Sequence, residues 1–527
     1  MKANGSKKRS GRGEQGIGKP RGVIHPRVAK AGPEHFGIVS VDCAKARFKW
    51  MLADFYGRVL VPPTEVNVTG PAMGSMLSQL AAAVAEHRLS DVLVAVEQTG
   101  RYHKPVVRAL AAAGYDVRTV HPLASNRFRA AANPGVKTDD KDLGGIHMAA
   151  VNGFALLRAE ADEFWTRLQL LVRHRRDLVR KASLLCCQIK EHWEAAMPGY
   201  AACFSNIWEH PAGLHLASRF AMDDPRPAAA VICSAGAEGL SDELHRQKIG
   251  FRAPSVQRIV EWARTAAGPD VGYAEHRRIA AELESDRQGK LRQIQGLERQ
   301  IAAALARTPY ILLLAIPGIN VVSSGEYGGE MGPIGQYANS RCITGRAGLY
   351  PSRYQSDRVD HADGPLVFCG NRRLRYAILM IADNLVVLNH HFQALAAGWK
   401  QKGHDPRLIR VRVASRFCRI SFQMVAGGQV FRHPAMRGRD YVLDKLIRFG
   451  QEHHTDALET LGNLRAAAKH LPANEWAAEA APLAEELAAI RGGRRRGPQP
   501  LGEILPVVLA ELGLGVVESG VSGAGPT

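Results

Sequence analysis

Over the first 155 residues, short apolar runs alternate with longer stretches of helical spacing. The runs are rich in Val, Ile, Phe and Leu, and DVLVAV at residues 91–96 has the continuous apolar character of a buried strand. The predicted strands are Phe36–Val41, Arg47–Ala53, Arg58–Val61, Asp91–Val96 and Asp116–Val120, and the predicted helices are Met73–His87, Tyr102–Ala113 and Leu143–Val151. The order βββαβα with a closing helix predicts an RNase H-like α/β domain at residues 35–155.

After residue 155 the pattern is helical. Apolar stripes at Leu168–Ile189 and Leu291–Leu305 predict two long amphipathic helices, which can pair within one chain, pair between chains as a coiled coil, or belong to a plain helical bundle. Between them, Tyr200–Gly268 is rich in Pro, Gly and Ala, and we expect an irregular insertion. The predicted divisions are a leader at 1–34, the α/β domain at 35–155, a helical or coiled-coil region at 156–310, a mostly helical C-terminal domain at 311–440 and a helical, basic tail at 441–527.

Charge points to a polyanionic partner. The 527-residue chain has a formal net charge of +19 and a pI near 9.8, which favours nucleic acid. Its first 30 residues hold nine basic residues and one acid, as expected of a disordered tail along a phosphate backbone or of a solubilising leader. The eight cysteines form no C-x-x-C pair, and neither a signal peptide nor a membrane-spanning run is evident. We therefore expect a cytoplasmic, nucleoid-associated protein without membrane contact.

Four acidic residues stand where a metal site is expected. Asp42 and Glu97 end predicted strands, and functional groups collect at the carboxyl ends of strands in open α/β sheets. Asp139 and Asp142 begin a predicted helix, where a spacing of three places them on one face. Clustered carboxylates in a basic protein favour Mg²⁺ (or Mn²⁺), although acids at a helix start also serve as caps. Asp140 is the reserve candidate within the same run.

The C-terminal region offers groups suited to a phosphodiester. Pro317-Gly318-Ile319-Asn320 follows an apolar segment predicted to be helical, as in helix-hairpin-helix modules whose backbone N–H groups hold a DNA phosphate, and Asn320 can adopt a left-handed conformation. Ser356 has Arg353 and Arg358 nearby, so guanidinium groups could hold a phosphate beside a serine nucleophile; a loop serine is more often a turn residue. The candidate nucleic-acid-binding residues are Pro317, Gly318, Asn320, Arg353, Arg358, Asn371, Arg372, Arg373 and Arg375.

Six sequence blocks in one order resemble the DEDD-type transposases of insertion sequences, the bridge-RNA-guided serine recombinases related to Piv-like DNA invertases. The blocks are VDCAK at Asp42, VEQTGRY at Glu97, KTDDKD at Asp139 and Asp142, IPGIN at Ile316, AGLYPSRYQS ending at Ser356, and GNRRLR at Gly370. The resemblance covers roughly residues 35–435. It departs from the family at Asp357, where Gly is usual, at Phe368-Cys369, where a basic residue is usual, and in the length of the chain.

The resemblance implies that Asp42, Glu97, Asp139 and Asp142 form the acidic tetrad of a RuvC-like domain and that Ser356 is the catalytic serine of the C-terminal domain. It further implies a covalent phosphoserine intermediate, donor and target DNA, and a structured guide RNA; we also expect a homo-oligomer, a dimer or tetramer. Two alternatives remain open from the residues: a RuvC-like endonuclease that uses water, with Ser356 only structural, and a non-catalytic nucleic-acid-binding relative.

Overall fold

The computed structural model describes residues 23–471, with gaps at 99, 133, 136–137, 159–161, 353, 357–358, 362–363, 368 and 429–433; for residues 156–158, 354–356, 359–361 and 440 it describes the backbone. The chain divides into two compact units, residues 1–162 and 163–527. Within the described residues, no helix combines the length and the apolar character that a membrane crossing requires.

The first unit is a mixed α/β fold. In chain order its elements are α1 (His25–Ala31), a 3-10 turn (Pro33–His35), β1 (Phe36–Cys43), β2 (Arg47–Asp54), β3 (Val59–Asn67), α2 (Gly70–Glu86), β4 (Asp91–Glu97), α3 (His103–Ala112), β5 (Asp116–Val120), α4 (Pro122–Ala132), α5 (Asp139–Val151) and β6 (Ala155–Arg158). The predicted order of strands and helices is confirmed from β1 through α5, whereas α1 and the short strand β6 were not predicted.

The sheet has the order β3-β2-β1-β4-β5-β6. Strands β1, β2 and β3 are antiparallel neighbours, β1, β4 and β5 run parallel, and β6 returns antiparallel to β5. Strands β1 and β4 lie centrally and are buried on both faces, as their continuous apolar runs require. Because Val41 is paired with Val96, the next residues, Asp42 and Glu97, stand together at the carboxyl edge of the sheet.

Helix α1 lies in the segment predicted to be an unstructured leader, so that prediction is wrong for residues 25–31. Ile24 and Val28 are spaced four residues apart and are buried against the sheet. Arg27 lies on the same helix and pairs with Asp91 and Asp116, each at 2.6 Å. Two apolar side chains among many basic ones are weak sequence evidence for a helix. They are enough to hold α1 in place because the sheet supplies the surface against which they pack.

The second unit is mostly helical. Its elements are α6 (Glu163–Ala196), 3-10 turns at Tyr200–Cys203 and Ile207–Glu209, α7 (Pro211–Ser218), α8 (Ala228–Arg246), α9 (Ala253–Thr265), α10 (Tyr273–Leu305), a 3-10 helix (Pro309–Ala315), α11 (Val321–Met331), a 3-10 turn (Ile334–Gln336), α12 (Ser340–Ala347), β7 (Tyr354–Ser356), β8 (Val359–His361), α13 (Arg372–Leu388), α14 (His390–Gln401), α15 (Pro406–Gly427), α16 (Arg439–Glu452) and α17 (Ala457–Ala468).

The two predicted long helices are α6 and α10, and they pack antiparallel within the chain. Leu168 contacts Ile301 near one end of the pair, whereas Leu178 contacts Ile294 further along. The apolar stripes are thereby used inside one molecule, and pairing between chains stays a prediction.

Residues 200–268 are helical, which corrects the expected irregular insertion. Helices α7, α8 and α9 share a separate core with the C-terminal part of α6 and with α10. The prolines that suggested irregularity stand at helix starts, Pro211 before the body of α7 and Pro254 in the first turn of α9. Proline is favoured there because the N–H it lacks would have no partner within the helix.

A larger core joins the remaining helices, and two more expectations change. The apolar segment before Pro317 is a fully buried 3-10 helix rather than an α-helix. Helices α16 and α17, placed in the predicted tail, contribute Leu443, Leu446 and Leu464 to the same core as α13 and α15. The core therefore continues past residue 440 to Leu471, and the predicted domain end at Phe431–Pro434 falls almost wholly outside the described residues.

Candidate active site

Three aspartates of the first unit converge at the carboxyl edge of the sheet. Carboxylate oxygens of Asp42, Asp139 and Asp142 lie within 4.8 Å of one another. Asp42 stands at the end of β1, and the other two stand in the first turn of α5, on the face that a spacing of three provides. Asp42 and Asp142 are half-buried and Asp139 is exposed, so the cluster opens to solvent on one side.

The start of α5 selects two of its three acids for this cluster. Thr138 caps the helix by accepting a hydrogen bond from the Lys141 N–H at 3.4 Å, which fixes the first turn. Asp140 is not part of the cluster, and its Oδ1 accepts a hydrogen bond from Lys49 Nζ at 3.0 Å. The reserve candidate is thus occupied by a cation in the described structure.

Glu97 lies beside the three aspartates without joining their group. It ends β4, the parallel neighbour of β1, and its Oε2 accepts a 2.5 Å hydrogen bond from Ser125 Oγ on α4. Its charge still reaches Asp42, since it is among the groups that raise the pKa of that carboxyl.

Burial and mutual repulsion both act on the carboxylates of the cluster. Burial, and then the neighbouring charges of Glu97, Asp142 and Asp139, raise the pKa of Asp42 to about 6. Two cations compensate in part: Arg129 Nε lies 2.7 Å from Asp142 Oδ1, and Lys49 Nζ lies 3.7 Å from Asp139 Oδ2. Negative charge remains in excess.

Sequence reasoning missed the residues that support the cluster. Lys49 is paired with Asp42 across β1 and β2, a register that the predicted hairpin could have supplied. Ser125 and Arg129 come from α4, which packs closely on α5 at Gly145. A Cβ at Gly145 would lie 2.6 Å from the Ser125 carbonyl oxygen, so a side chain there would push α4 away. The Gly144-Gly145 pair within a helix was the available signal.

The donor set fits a divalent metal. All the candidate ligands are carboxylate oxygens, the hard donors that Mg²⁺ and Mn²⁺ take. The repulsion that raises the pKa of Asp42 would be relieved by a cation between the carboxylates. The residues placed to hold such a metal are Asp42, Asp139 and Asp142, with Glu97 alongside.

Ser356 lies in the second unit, at the end of β7. Its backbone pairs with Val359 of β8, and two residues, Asp357 and Arg358, connect the strands. Those two residues and Arg353 fall outside the described residues. Two other serines lie near Ser356 in the sequence. Ser352 donates hydrogen bonds to the Pro365 carbonyl through its N–H and its Oγ, and Ser340 is the first residue of α12.

The Pro317–Asn320 turn differs from its expected conformation. Gly318 has φ +96°, whereas Asn320 is extended and caps α11 in a capping box with Ser323. That box occupies the N–H groups of Asn320 and Ser323, two of those expected to hold a phosphate. The Pro317 carbonyl accepts from Asn389 Nδ2 at 3.2 Å.

Lys445 of α16 is an unpredicted support of this turn. Its Nζ donates to the carbonyls of Leu314, Ile316 and Ile319 at 2.8, 3.2 and 2.7 Å. Burial lowers the pKa of Lys445 to about 7, while three acceptors match the three donors of its ammonium form. No sequence pattern indicates this contact, because 126 positions separate Lys445 from Ile319.

Two residues of the GNRRLR block make hydrogen bonds that stabilise the fold, and one basic side chain of the block is exposed. Asn371 caps α13 and donates Nδ2 to Glu330 at 2.9 Å, and Arg375 donates Nε to the Ala347 carbonyl at 2.7 Å. Arg373 pairs with Asp177 at 3.6 Å, and Arg372 is exposed. Arg372 is therefore the residue of this block most available to a phosphate.

Comparison with protein families gives two matches in separate parts of the chain. A model of DEDD transposases of the IS110 group, described as Transposase, matches residues 39–198, which include the four acidic residues. A model described as Transposase IS116/IS110/IS902 family matches residues 310–397, which include Ser356. Among curated proteins, no match was found.

Proposed function

We propose that four carboxylates and one serine carry out the reaction of an IS110-type transposase. Such an enzyme acts on DNA by phosphoryl transfer, and the two family matches support this starting point. The carboxylates are those of Asp42, Glu97, Asp139 and Asp142, and the serine is Ser356. The observation that carries the proposal is the convergence of three of the carboxylates within 4.8 Å. The DEDD family implies divalent-metal use and DNA binding, and we propose Mg²⁺ or Mn²⁺ as the metal.

The role proposed for the carboxylates is to hold negatively charged ligand oxygens together at one place. Asp42 is fixed by the central strand and Asp139 and Asp142 by a capped helix start, so the ligand oxygens are positioned before a metal arrives. A bound divalent ion supplies charge stabilisation to a phosphodiester whose oxygens are negative. Ser125 orients Glu97 through its hydrogen bond, and Arg129 neutralises part of Asp142.

The proposed chemical step is attack of Ser356 Oγ on a DNA phosphorus. A bond forms between Oγ and phosphorus as the bond from phosphorus to one deoxyribose oxygen breaks. The serine proton passes to a base, and the leaving deoxyribose oxygen takes up a proton. The phosphoserine ester conserves the phosphodiester linkage, so a second strand's hydroxyl can reverse the step and rejoin DNA without another cofactor. This favours recombination over hydrolysis.

Guide RNA and self-association complete the proposal. The formal charge of +19 suits binding of RNA together with donor and target DNA. The family resemblance supports a structured RNA transcribed from beside the gene, and we propose a homo-oligomer, a dimer or tetramer, in which two DNA partners can be held together.

The test is trapping of the covalent adduct. Wild type and the variants Ser356→Ala and Ser352→Ala are incubated with a DNA fragment spanning one element end, RNA transcribed from the flanking non-coding stretch, and Mg²⁺. We expect a denaturation-resistant protein–DNA adduct with wild type and Ser352→Ala, and none with Ser356→Ala or with EDTA.

The outcomes separate the alternatives. An adduct that persists in Ser356→Ala but vanishes in Ser352→Ala would transfer the role to Ser352, which shares the loop region but not the family position. Metal-dependent free ends with no adduct in wild type would indicate an endonuclease that uses water. DNA binding without cleavage under every metal would indicate a non-catalytic relative.

A further inference from the structure

We propose that a cavity in the helical segment between the two matched families binds the phosphate group of a nucleotide. The cavity has a volume of about 610 Å³ and is formed within the second unit by residues 204–259. This segment lies outside both matched ranges, 39–198 and 310–397, so neither family model accounts for it. The inference is independent of the metal and serine chemistry proposed above.

Two arginines give the cavity its charge. Arg252 and Arg258 both line it and are exposed to it. Within the described part of the chain, neither makes an ion pair: Arg258 Nη2 donates to Ser255 Oγ at 3.3 Å, and Arg252 makes no side-chain hydrogen bond. Unpaired guanidinium groups that line one cavity offer the planar donors that hold phosphate oxygens bidentately.

Three other arginines in or next to this segment are paired with acids, in contrast to Arg252 and Arg258. Arg226 pairs with Asp224 at 2.7 Å, Arg246 with Glu243 at 2.7 Å, and Arg264 with Glu261 at 3.5 Å. The one acid in the cavity lining, Glu209, accepts a hydrogen bond from Asn206 at 2.7 Å instead. The cavity is therefore lined by two cations that pair with no acidic side chain among the described residues.

The walls suit the remainder of a nucleotide. Phe251, Pro211 and Pro254 supply apolar surface, and the His210 ring lies against Phe204 with centroids 5.2 Å apart. The volume falls in the range of about 300–1,000 Å³ that small-ligand sites occupy, and such sites combine apolar walls with a few placed polar groups. We expect the phosphate to contact the two arginines and the base to lie against the apolar wall. The nucleotide could be free or part of a single strand.

The experiment is photolabelling of the full-length protein with 8-azidoadenosine monophosphate, followed by peptide mapping. We expect saturable labelling of peptides from residues 204–259, competed by adenosine monophosphate and at least tenfold less well by adenosine, which lacks the phosphate. The double variant Arg252→Gln/Arg258→Gln should lose labelling by at least tenfold. The double variant Arg246→Gln/Arg264→Gln removes the same charge from paired arginines outside the cavity and should label like wild type.

Competition by ten-residue single-stranded DNA and RNA distinguishes the two sources of the phosphate. Competition by either oligonucleotide at tenfold lower concentration than the mononucleotide assigns the site to a strand, and better competition by the mononucleotide assigns it to a free nucleotide. Absence of saturable labelling in the cavity peptides, equal competition by adenosine, or labelling that survives Arg252→Gln/Arg258→Gln overturns the proposal. Transposition plays no part in the readout, so its failure would leave this result unaffected.

Discussion

Both units of the molecule hold carboxylates that are withdrawn partly or wholly from solvent, but their surroundings are opposite. In the second unit Glu330, only 3% exposed, accepts hydrogen bonds from Arg173 at 2.6 and 2.8 Å and from Asn371 at 2.9 Å. Burial alone would raise its pKa, yet these donors outweigh burial and hold the pKa below its ordinary value. In the first unit burial raises the pKa of Asp42, and the carboxylates that it faces raise it further, to about 6.

Glu298, also in the second unit, has surroundings like those of Glu330. It accepts from Arg175 at 2.6 Å and from His453 at 2.8 Å, and these partners lower its pKa against the effect of burial. A carboxylate that the chain itself neutralises is part of the fold, because its charge is already compensated and needs no bound cation. A cluster left with excess negative charge is unfavourable for folding and is retained for what it binds. The difference separates structural acids from candidate catalytic ones.

The strongest test of this contrast is Asp42→Asn. With Mg²⁺ or Mn²⁺, DNA cleavage should fall by about 10²–10³-fold, the usual cost of losing one electrostatic contact in a transition state. Without metal, the same variant should be more stable than wild type at pH 7. The folded pKa of Asp42 lies above its ordinary 3.8, so its contribution to stability is present at acid pH and lost as pH rises through about 6.

After allowance for solvent screening, removal of that charge should add roughly 1–2 kcal/mol. Thermal unfolding in EDTA and a strand-cleavage assay measure the two effects. Asp140→Asn is the matched control, since it removes the same charge from a residue that pairs with Lys49 outside the cluster. If Asp140→Asn abolished cleavage while Asp42→Asn did not, the assignment of the cluster would be wrong.

Features that depend on residues close in sequence could be predicted, whereas contacts between distant elements could not. The strands, the start of α5 and the convergence of Asp42 with Asp139 and Asp142 rest on local periodicity and on one topological rule, and the structure has all of them. Lys49, Arg129 and Lys445 were missed because their partners come from other elements, where no spacing signals contact. Helices α7 to α9 were missed because proline was taken as a sign of irregularity rather than of a helix start.

The neutralised carboxylates give the converse prediction. Glu330→Ala should destabilise the second unit by about 3 kcal/mol, because it leaves Arg173 and Asn371 without their shared acceptor. Glu330→Gln should cost less, since its carbonyl oxygen can still accept from one donor. Hydrogen exchange of α6, α11 and α13 measures the loss where it occurs, which matters because a chain of two units need not unfold in one step.

Glu275→Gln serves as the control for Glu330. Glu275 is 68% exposed and pairs with Arg278 on the helix surface, so its replacement should change stability by less than about 0.5 kcal/mol. Equal losses for the two residues would show that burial and pairing of Glu330 add nothing, and the contrast between the units would then fail.

The smallest expected effect concerns His453, the first residue after α16. It is 14% exposed, and its Nδ1 and Nε2 lie 2.9 and 2.8 Å from the Phe449 carbonyl and Glu298 Oε2. Burial would lower its pKa, but the bonds to Glu298 and Phe449 raise it above the ordinary 6.5. Its contribution to stability is therefore fully present below pH 6.5 and is lost as pH rises through the folded pKa.

Replacement by glutamine should abolish that dependence. Compared with wild type, His453→Gln should be less stable by under about 1 kcal/mol at pH 6 and should approach wild type at pH 9, measured by hydrogen exchange of α10 and α16. His390→Gln, at an exposed position on α14, should follow wild type at both pH values. A constant deficit for His453→Gln across pH would mean that the imidazole stabilises the fold by packing against Phe449, at 3.8 Å between centroids, and that its charge does not help to neutralise Glu298. Arg175 would then be the cation that neutralises Glu298.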